Sequence, residues 1–405
     1  EKKDLRVFFY LGIIYFELNN YNKSISYYNK VLKINPNSIG TLYNLAIAKQ
    51  TVGNLEDAKK IYKKLIKDNS KNIRAHYGLY MLDPDYLIND FNLKLPDKEN
   101  LNLYEKGILY FLLSKKEKKN KNYQIELDYL QKYHEKIFNS NEQYNISSQF
   151  YYTEIINKYF NKIRLKEVNE NFRENNFPIF IVGLPRSGST LVETLLTSGD
   201  IQIQTFGESH VFNMSLLEEI GPKIYSKDFN SNKFEYEIDI NNVKKNIIGK
   251  YSQYNYNSEK NEKFLDKSLE NFFNIEIILN IFPNAKFIHT FRDPVDATIS
   301  IYQSMLPDLS WTHSIENILT YIDNYRKVLK YFKYKFPSKI LDVSLENLTT
   351  NTKIVSKEIF KFCDLIWSEK IFDYYKRQDL NSKTLSFTQI RSKIIKYDTK
   401  KYKNY

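Results

Sequence analysis

Cysteine is nearly absent: Cys363 stands alone among 405 residues. No intrachain disulfide can form, so nothing supports an oxidising compartment, and the expectation is a cytoplasmic protein. Cys363 falls in the apolar helical stretch IFKFCDLIW and reads as a core residue. The five histidines show no ligand spacing, and no metal centre is expected. No apolar run approaches the roughly 18–20 residues that a membrane helix needs, so no membrane segment is seen. The net charge of +12 comes from 60 Lys and Arg against 48 Asp and Glu, but it has no focus. Lysines are scattered among Asn and Tyr, and no basic run is long enough for a nucleic-acid tail, so nucleic acid is not an expected partner. The sequence opens on Glu1 rather than Met, which leaves an earlier segment, and any targeting signal in it, open.

What is present is length and apolar content. A chain of this size holds two or three domains, and 42% hydrophobic residues supply real cores. Residues 5–80 repeat. Phe8, Leu11, Gly12, Tyr15, Ser24, Tyr28, Val31 and Pro36 fit the tetratricopeptide pattern. Leu42, Leu45, Ala46, Ala58, Tyr62 and Leu65 follow one period of about 34 residues later. Small residues at Gly12, Ser24, Ala46 and Ala58 let paired helices approach, and Asn19-Asn20 and Gly53-Asn54 mark the turns. Another first helix fits Ile73–Met81. The expected order is helical repeats over 1–82, a helical connecting region over 83–175 with helices at Asn100–Lys116, Gln124–Phe138 and Gln143–Val168, and a third domain over 176–405.

From Phe177 the pattern becomes α/β. Strand candidates Pro178–Val182, Ile201–Thr205, Lys263–Leu265, Lys286–Phe291 and Lys339–Val343 alternate with helices, which predicts a parallel sheet flanked by helices. Ligands of such sheets collect at the carboxyl ends of the strands. The first strand ends in Gly183-x-x-x-x-Gly188-Ser189-Thr190, the spacing of a phosphate-cradling P-loop with Ser189 where the lysine should stand. Loss of that lysine points to a ligand without a transferable γ-phosphate, and Arg186 supplies a charge of its own. Arg186, Ser187, Gly188, Ser189 and Thr190 are the expected cradle. The next strand ends carry Gly207-Glu208-Ser209-His210, Asp266-Lys267-Ser268 and Arg292-Asp293-Pro294. Asp293 reads as a helix cap and Pro294 as the first helical residue. Arg292 with Ser300, two turns on, reads as a second anion site, with a surface ion pair of Arg292 to Asp293 or Asp296 as the alternative. Two such sites on one sheet imply a doubly phosphorylated nucleotide.

These residues resemble the sulfotransferase family, in the group that joins tetratricopeptide repeats to a sulfotransferase domain and has the tyrosylprotein sulfotransferases as relatives. The resemblance runs from Phe177 to the end and rests on PRSGSTL at Pro185–Leu191, GES at Gly207–Ser209, LDK at Leu265–Lys267, FPNAKFIHTFRDPVDATIS at Phe282–Ser300 and KTLSFTQIR at Lys383–Arg391. It implies the sulfotransferase fold and the donor 3′-phosphoadenosine 5′-phosphosulfate, with no metal. By the same resemblance Arg186–Thr190 holds the 5′-phosphosulfate, while Arg292, Ser300 and Lys401 hold the 3′-phosphate. Lys267 and Ser386 act on the leaving phosphate, and Glu208 is the base. The tyrosylprotein enzymes carry two adjacent glutamates where this chain has Glu208 and Ser209, so His210 stays open as a substitute base. The acceptor is a hydroxyl on a peptide tyrosine, a glycan or a small molecule, with a peptide or protein reached through the repeats. A P-loop kinase and an inactive repeat scaffold are the alternatives.

Overall fold

A computed structural model describes residues 4–89, 91, 101–155, 160, 163–165, 177–200, 203–224, 236–254, 256, 263–377, 379–383, 387–398 and 401–405. The chain forms two compact units. One gathers Glu1–Asn145 with Lys376–Ser392 and Asn404–Tyr405; the other gathers Ile146–Tyr375 and Lys393–Lys403.

The first unit is an all-α array. Antiparallel helices Leu5–Glu17 and Tyr21–Ile34 are followed by Ile39–Thr51 and Leu55–Asp68, then Ile73–Leu82. The turns fall at the expected residues: Asn19 and Gly53 both take positive φ, and Asn20 caps its helix by accepting from the Lys23 N–H at 3.3 Å. Close approach explains the small positions. A Cβ on Gly12 would sit 2.3 Å from the Tyr28 ring, and Ser24 Oγ donates to the Gly12 carbonyl at 2.7 Å. Tyr62 fills the same role against Gly78 of the next helix, where a Cβ would meet its ring at 2.4 Å. Long helices Leu103–Lys119 and Tyr123–Ser140 pack after these. The late stretch Lys376–Ser392 belongs to this unit through direct contacts. Ser382 N–H donates to the Thr51 carbonyl at 3.2 Å, Arg391 Nη2 reaches the same carbonyl at 3.3 Å, and Lys383 Nζ pairs with Glu17 at 3.2 Å.

The second unit is α/β. Its strands are β1 Ile163–Leu165, β2 Ile179–Gly183, β3 Gln204–Thr205, β4 Tyr236–Ile238, β5 Phe264–Asp266, β6 Lys286–Phe291 and β7 Ile340–Ser344. Five form a wholly parallel sheet in the order β3-β5-β2-β6-β7. Strand β2 is central and buried along its whole length, as an unbroken apolar run between two parallel neighbours requires. Aromatic packing of Phe180, Phe264 and Phe287 builds the core beside it. The expected helix Gln143–Val168 does not form as one element. A helix covers Glu142–Phe150, a π turn follows at Tyr151–Ile155, and β1 then pairs in parallel with β4. Three-residue strands rich in polar neighbours carry too little alternation to be read locally.

Candidate active site

Four strand ends of one sheet carry the chemistry, and the strand order sets them in a row: Glu208 after β3, Lys267 after β5, the glycine loop after β2, Arg292 after β6.

The loop after β2 leads into the helix Ser189–Leu196, whose first N–H groups have no intrahelical partner and carry the positive end of the helix dipole. Its backbone is unusual. Gly183 has φ +146, and a Cβ there would lie 2.2 Å from the Thr290 carbonyl of β6. Gly188 has φ +90, and Arg186 takes φ 65 despite its side chain. A non-glycine residue in that region costs roughly 1–2 kcal/mol, which surrounding bonds must hold in place. Ser187 supplies one of them: its buried Oγ donates to the Leu184 carbonyl at 2.6 Å and shares a hydrogen bond with Thr290 Oγ1 at 2.9 Å. Ser189, where a P-loop lysine would stand, is buried with Thr190 at the helix start.

Arg292 begins where β6 ends and is 8% exposed. Its Nη1 donates to the Arg186 carbonyl at 3.1 Å, so the second cationic position touches the loop directly. Its guanidinium lies over the Tyr397 ring, 4.5 Å from the centroid, and Nη2 donates to the Tyr397 hydroxyl. Burial lowers its pKa against the opposing pull of Asp296 and Glu346, but guanidinium stays charged at neutral pH. The buried Arg292 Nε has no hydrogen-bond partner. Asp293 does not pair with it: Asp293 Oδ1 caps the helix Pro294–Tyr302 by accepting the N–H groups of Val295 at 2.9 Å and Asp296 at 3.1 Å. Ser300 lies half-buried on that helix.

Lys267 is 1% exposed and sits at the end of β5. Its Nζ is 2.7 Å from Glu208 Oε1 and 3.5 Å from Glu193 Oε2. Burial pulls an ammonium's pKa down, but the two carboxylates overcome it and hold Lys267 above its ordinary value. Burial pushes Glu208 up, and the Lys267 charge outweighs this, leaving the carboxyl below its usual range. Beside them Asp266 is fully buried and satisfied, accepting from Ser209 Oγ at 2.5 Å, Tyr251 hydroxyl at 2.8 Å, Ser268 N–H at 2.8 Å and Asn271 Nδ2 at 3.2 Å. Burial pushes the Asp266 carboxyl above its ordinary value.

His210, at φ 54, places Nδ1 2.5 Å from Glu270 Oε1. Burial lowers its pKa, but the Glu270 charge more than reverses this, and the ring is pushed up to about 9. A raised pKa stabilises the fold fully below the ordinary histidine value and loses that contribution as pH rises through about 9. His210→Gln is therefore expected to lower the melting temperature at about pH 6 and to have little effect at about pH 10. Equal losses in melts at both pH values would refute the ion pair.

The structure thus brings Arg186–Thr190, Arg292, Lys267 and Glu208 to neighbouring strand ends. Ser386 lies outside the described residues. Lys401 is in the turn Lys401–Asn404, and its side chain also lies outside them. Sequence reasoning missed Glu193, Glu270 and Tyr397. Glu193 had a local signal, lying one helical turn beyond Ser189; the other two are brought in from distant segments. Among the described residues no cluster of His, Cys, Asp and Glu could hold a metal ion, and no helix is long and apolar enough to cross a membrane.

Residues 178–369 match the sulfotransferase family, and residues 6–38 and 39–72 each match a tetratricopeptide repeat. The second unit carries a sulfotransferase-family domain. An uncharacterized protein of Aquifex aeolicus (strain VF5) is 24% identical over 389 residues, covering 91% of this chain and 49% of that protein. The chain thus spans about half the length of the curated relative it matches. Among solved structures, the sulfotransferase domain of the Synechococcus PCC 7002 olefin synthase is 17% identical, covers 59% of this chain and 92% of that one, and has a TM-score of 0.37. Sulfotransferase STF1 from Mycobacterium tuberculosis H37Rv is 11% identical, covers 80% and 92%, and has a TM-score of 0.32. At such scores the family match, not the structural likeness, carries the assignment of the sulfotransferase domain.

Proposed function

We propose that the protein transfers a sulfuryl group from 3′-phosphoadenosine 5′-phosphosulfate to a hydroxyl acceptor. One observation carries this reading: a lysine-free glycine loop and a buried arginine are joined by the Arg292–Arg186 hydrogen bond at 3.1 Å, with Lys267 at the strand end on the loop's other side. A nucleotide bearing phosphates at both ends of its ribose fits that row. The 3′-phosphate meets Arg292 and its partnerless Nε, with Ser300 and Lys401. The 5′-phosphosulfate meets the backbone of Arg186–Thr190 and the helix N-terminus.

In the reaction the acceptor oxygen forms a bond to sulfur as the bridging bond from sulfur to the 5′-phosphate oxygen breaks. Adenosine 3′,5′-bisphosphate leaves. Positioning and charge stabilisation are the protein's share, as in phosphoryl transfer. Lys267 takes the charge that grows on the bridging oxygen, and Ser386 assists it. Glu208 accepts the acceptor's proton. His210, held protonated by Glu270 at neutral pH, is the weaker candidate for that step. The kinase reading needs a lysine that Ser189 replaces. The acceptor is a peptide tyrosine, a glycan or a small hydroxyl compound, with the repeats as the docking surface for a protein acceptor.

Thermal shift tests the donor. Adenosine 3′,5′-bisphosphate at a hundredfold excess over its Kd is expected to stabilise the fold by about 2.7 kcal/mol, whereas ATP with magnesium is expected to stabilise it far less. Equal shifts, or none, would favour the scaffold reading. Transfer of labelled sulfate to peptide, glycan and phenolic acceptors then identifies the acceptor.

A further inference from the structure

The lysine at the end of β5 faces two carboxylates, of different character. Glu208 follows Gly207, a residue at φ +61 with open space where a Cβ would be, and its side chain is 43% exposed. Glu193 projects from the helix Ser189–Leu196 and is 15% exposed. It is also tethered. Glu193 Oε1 accepts from Thr205 Oγ1 at 2.7 Å, and Thr205 Oγ1 accepts from the Gly207 N–H at 3.2 Å. Its other oxygen, Oε2, lies 3.5 Å from Lys267 Nζ. One carboxylate is tethered on the glycine-loop helix; the other lies partly exposed on the loop after β3.

We propose that Glu193 is a positioning residue for Lys267: the fixed counter-carboxylate that holds the lysine at the β5 end while Glu208 turns to the acceptor. This rests on the sulfuryl-transfer reading above. A buried ammonium without a counter-charge is strongly disfavoured. If Glu208 were its sole protein partner, Lys267 would lose that partner's charge as Glu208 takes the acceptor's proton, and nothing in the protein would keep it in place once the leaving 5′-phosphate departs. Lys267 contacts both Glu208 and Glu193 before the transfer, and Glu193 stays in place as its partner after it. The same tether links the β3 end, the β5 end and the glycine-loop helix, so the lysine is set relative to the cradle that holds the donor.

Glu193→Gln in the full chain is the test, since the amide retains an acceptor for Thr205. The kcat is expected to fall by about tenfold or more, with donor KM and adenosine 3′,5′-bisphosphate affinity changed by less than about twofold. The acid limb of the kcat–pH profile is expected to move to lower pH. Glu193→Gln removes a like charge near Glu208 while Lys267 remains, and this makes Glu208 a stronger acid. The other charged groups facing this pair, His210, Glu270 and Asp266, are unchanged in the variant. A purely structural role would lower the melting temperature without moving the limb. Unchanged kcat, or a lower kcat with an unmoved limb, overturns the proposal. A second measurement guards against misfolding: in a Lys267→Ala background, Glu193→Gln is expected to cost nothing further, and additive losses overturn the assignment. Full turnover by Lys267→Ala alone would instead sink the transfer reading beneath it.

Discussion

Lys267→Ala is expected to lower turnover by about 10²–10³-fold, the range for removing one preorganised group aimed at developing charge. Donor affinity is expected to hold within about threefold, because the charge that Lys267 meets is small in the ground state and large as the bridging bond breaks. The size of the effect follows from burial. The ammonium is 1% exposed and already oriented by Glu208 at 2.7 Å and Glu193 at 3.5 Å, so it needs little reorganisation and acts through a poorly screening medium. Its removal also leaves Glu208 and Glu193 without their shared cation. Steady-state kinetics with a parallel binding measurement separates the two effects. Wild-type kcat in the variant would remove Lys267 from the mechanism.

Arg292→Ala is expected to weaken adenosine 3′,5′-bisphosphate binding by about 10–100-fold, from the loss of charge-assisted hydrogen bonds worth about 1.5–3 kcal/mol. The loss should be specific to one end of the nucleotide. Adenosine 5′-phosphate, which lacks the 3′-group, is expected to bind variant and wild type alike, so the preference for the bisphosphate collapses. Arg292→Lys should restore little. The guanidinium lies 4.5 Å from the Tyr397 ring centroid and is bonded through Nη1 to the loop, and a point-charge ammonium cannot reproduce that fork. Calorimetry with both nucleotides decides the matter: equal losses for the two would mean that Arg292 shapes the loop rather than gripping the 3′-phosphate.

The parts of this molecule that were legible in its sequence are those whose cause is local. The buried run at Ile179–Gly183, the glycine turn, the Asp293 cap with Pro294 behind it, and the repeat turns at Asn19 and Gly53 each follow from a few adjacent residues. The strand ends could be paired with their polar residues because a parallel sheet gathers them at one edge. What escaped depends on separation along the chain. Tyr397 reaches Arg292 across 105 residues, and Glu270 reaches His210 across 60. No period or spacing reports such meetings. The helix expected over Gln143–Val168 failed for the converse reason. Apolar spacing there fits a helix as far as Phe150, and pairing with β4 then claims Ile163–Leu165 for a strand.

The repeats end up in contact with a segment made long after them. Arg391 reaches the Thr51 carbonyl from 340 residues away and fills the space beside Gly53. At about 5–20 residues per second, the ribosome takes on the order of tens of seconds to supply that partner. For all of that interval the first helices exist without this neighbour, and the array can take the described form only after the stretch around Arg391 has been made.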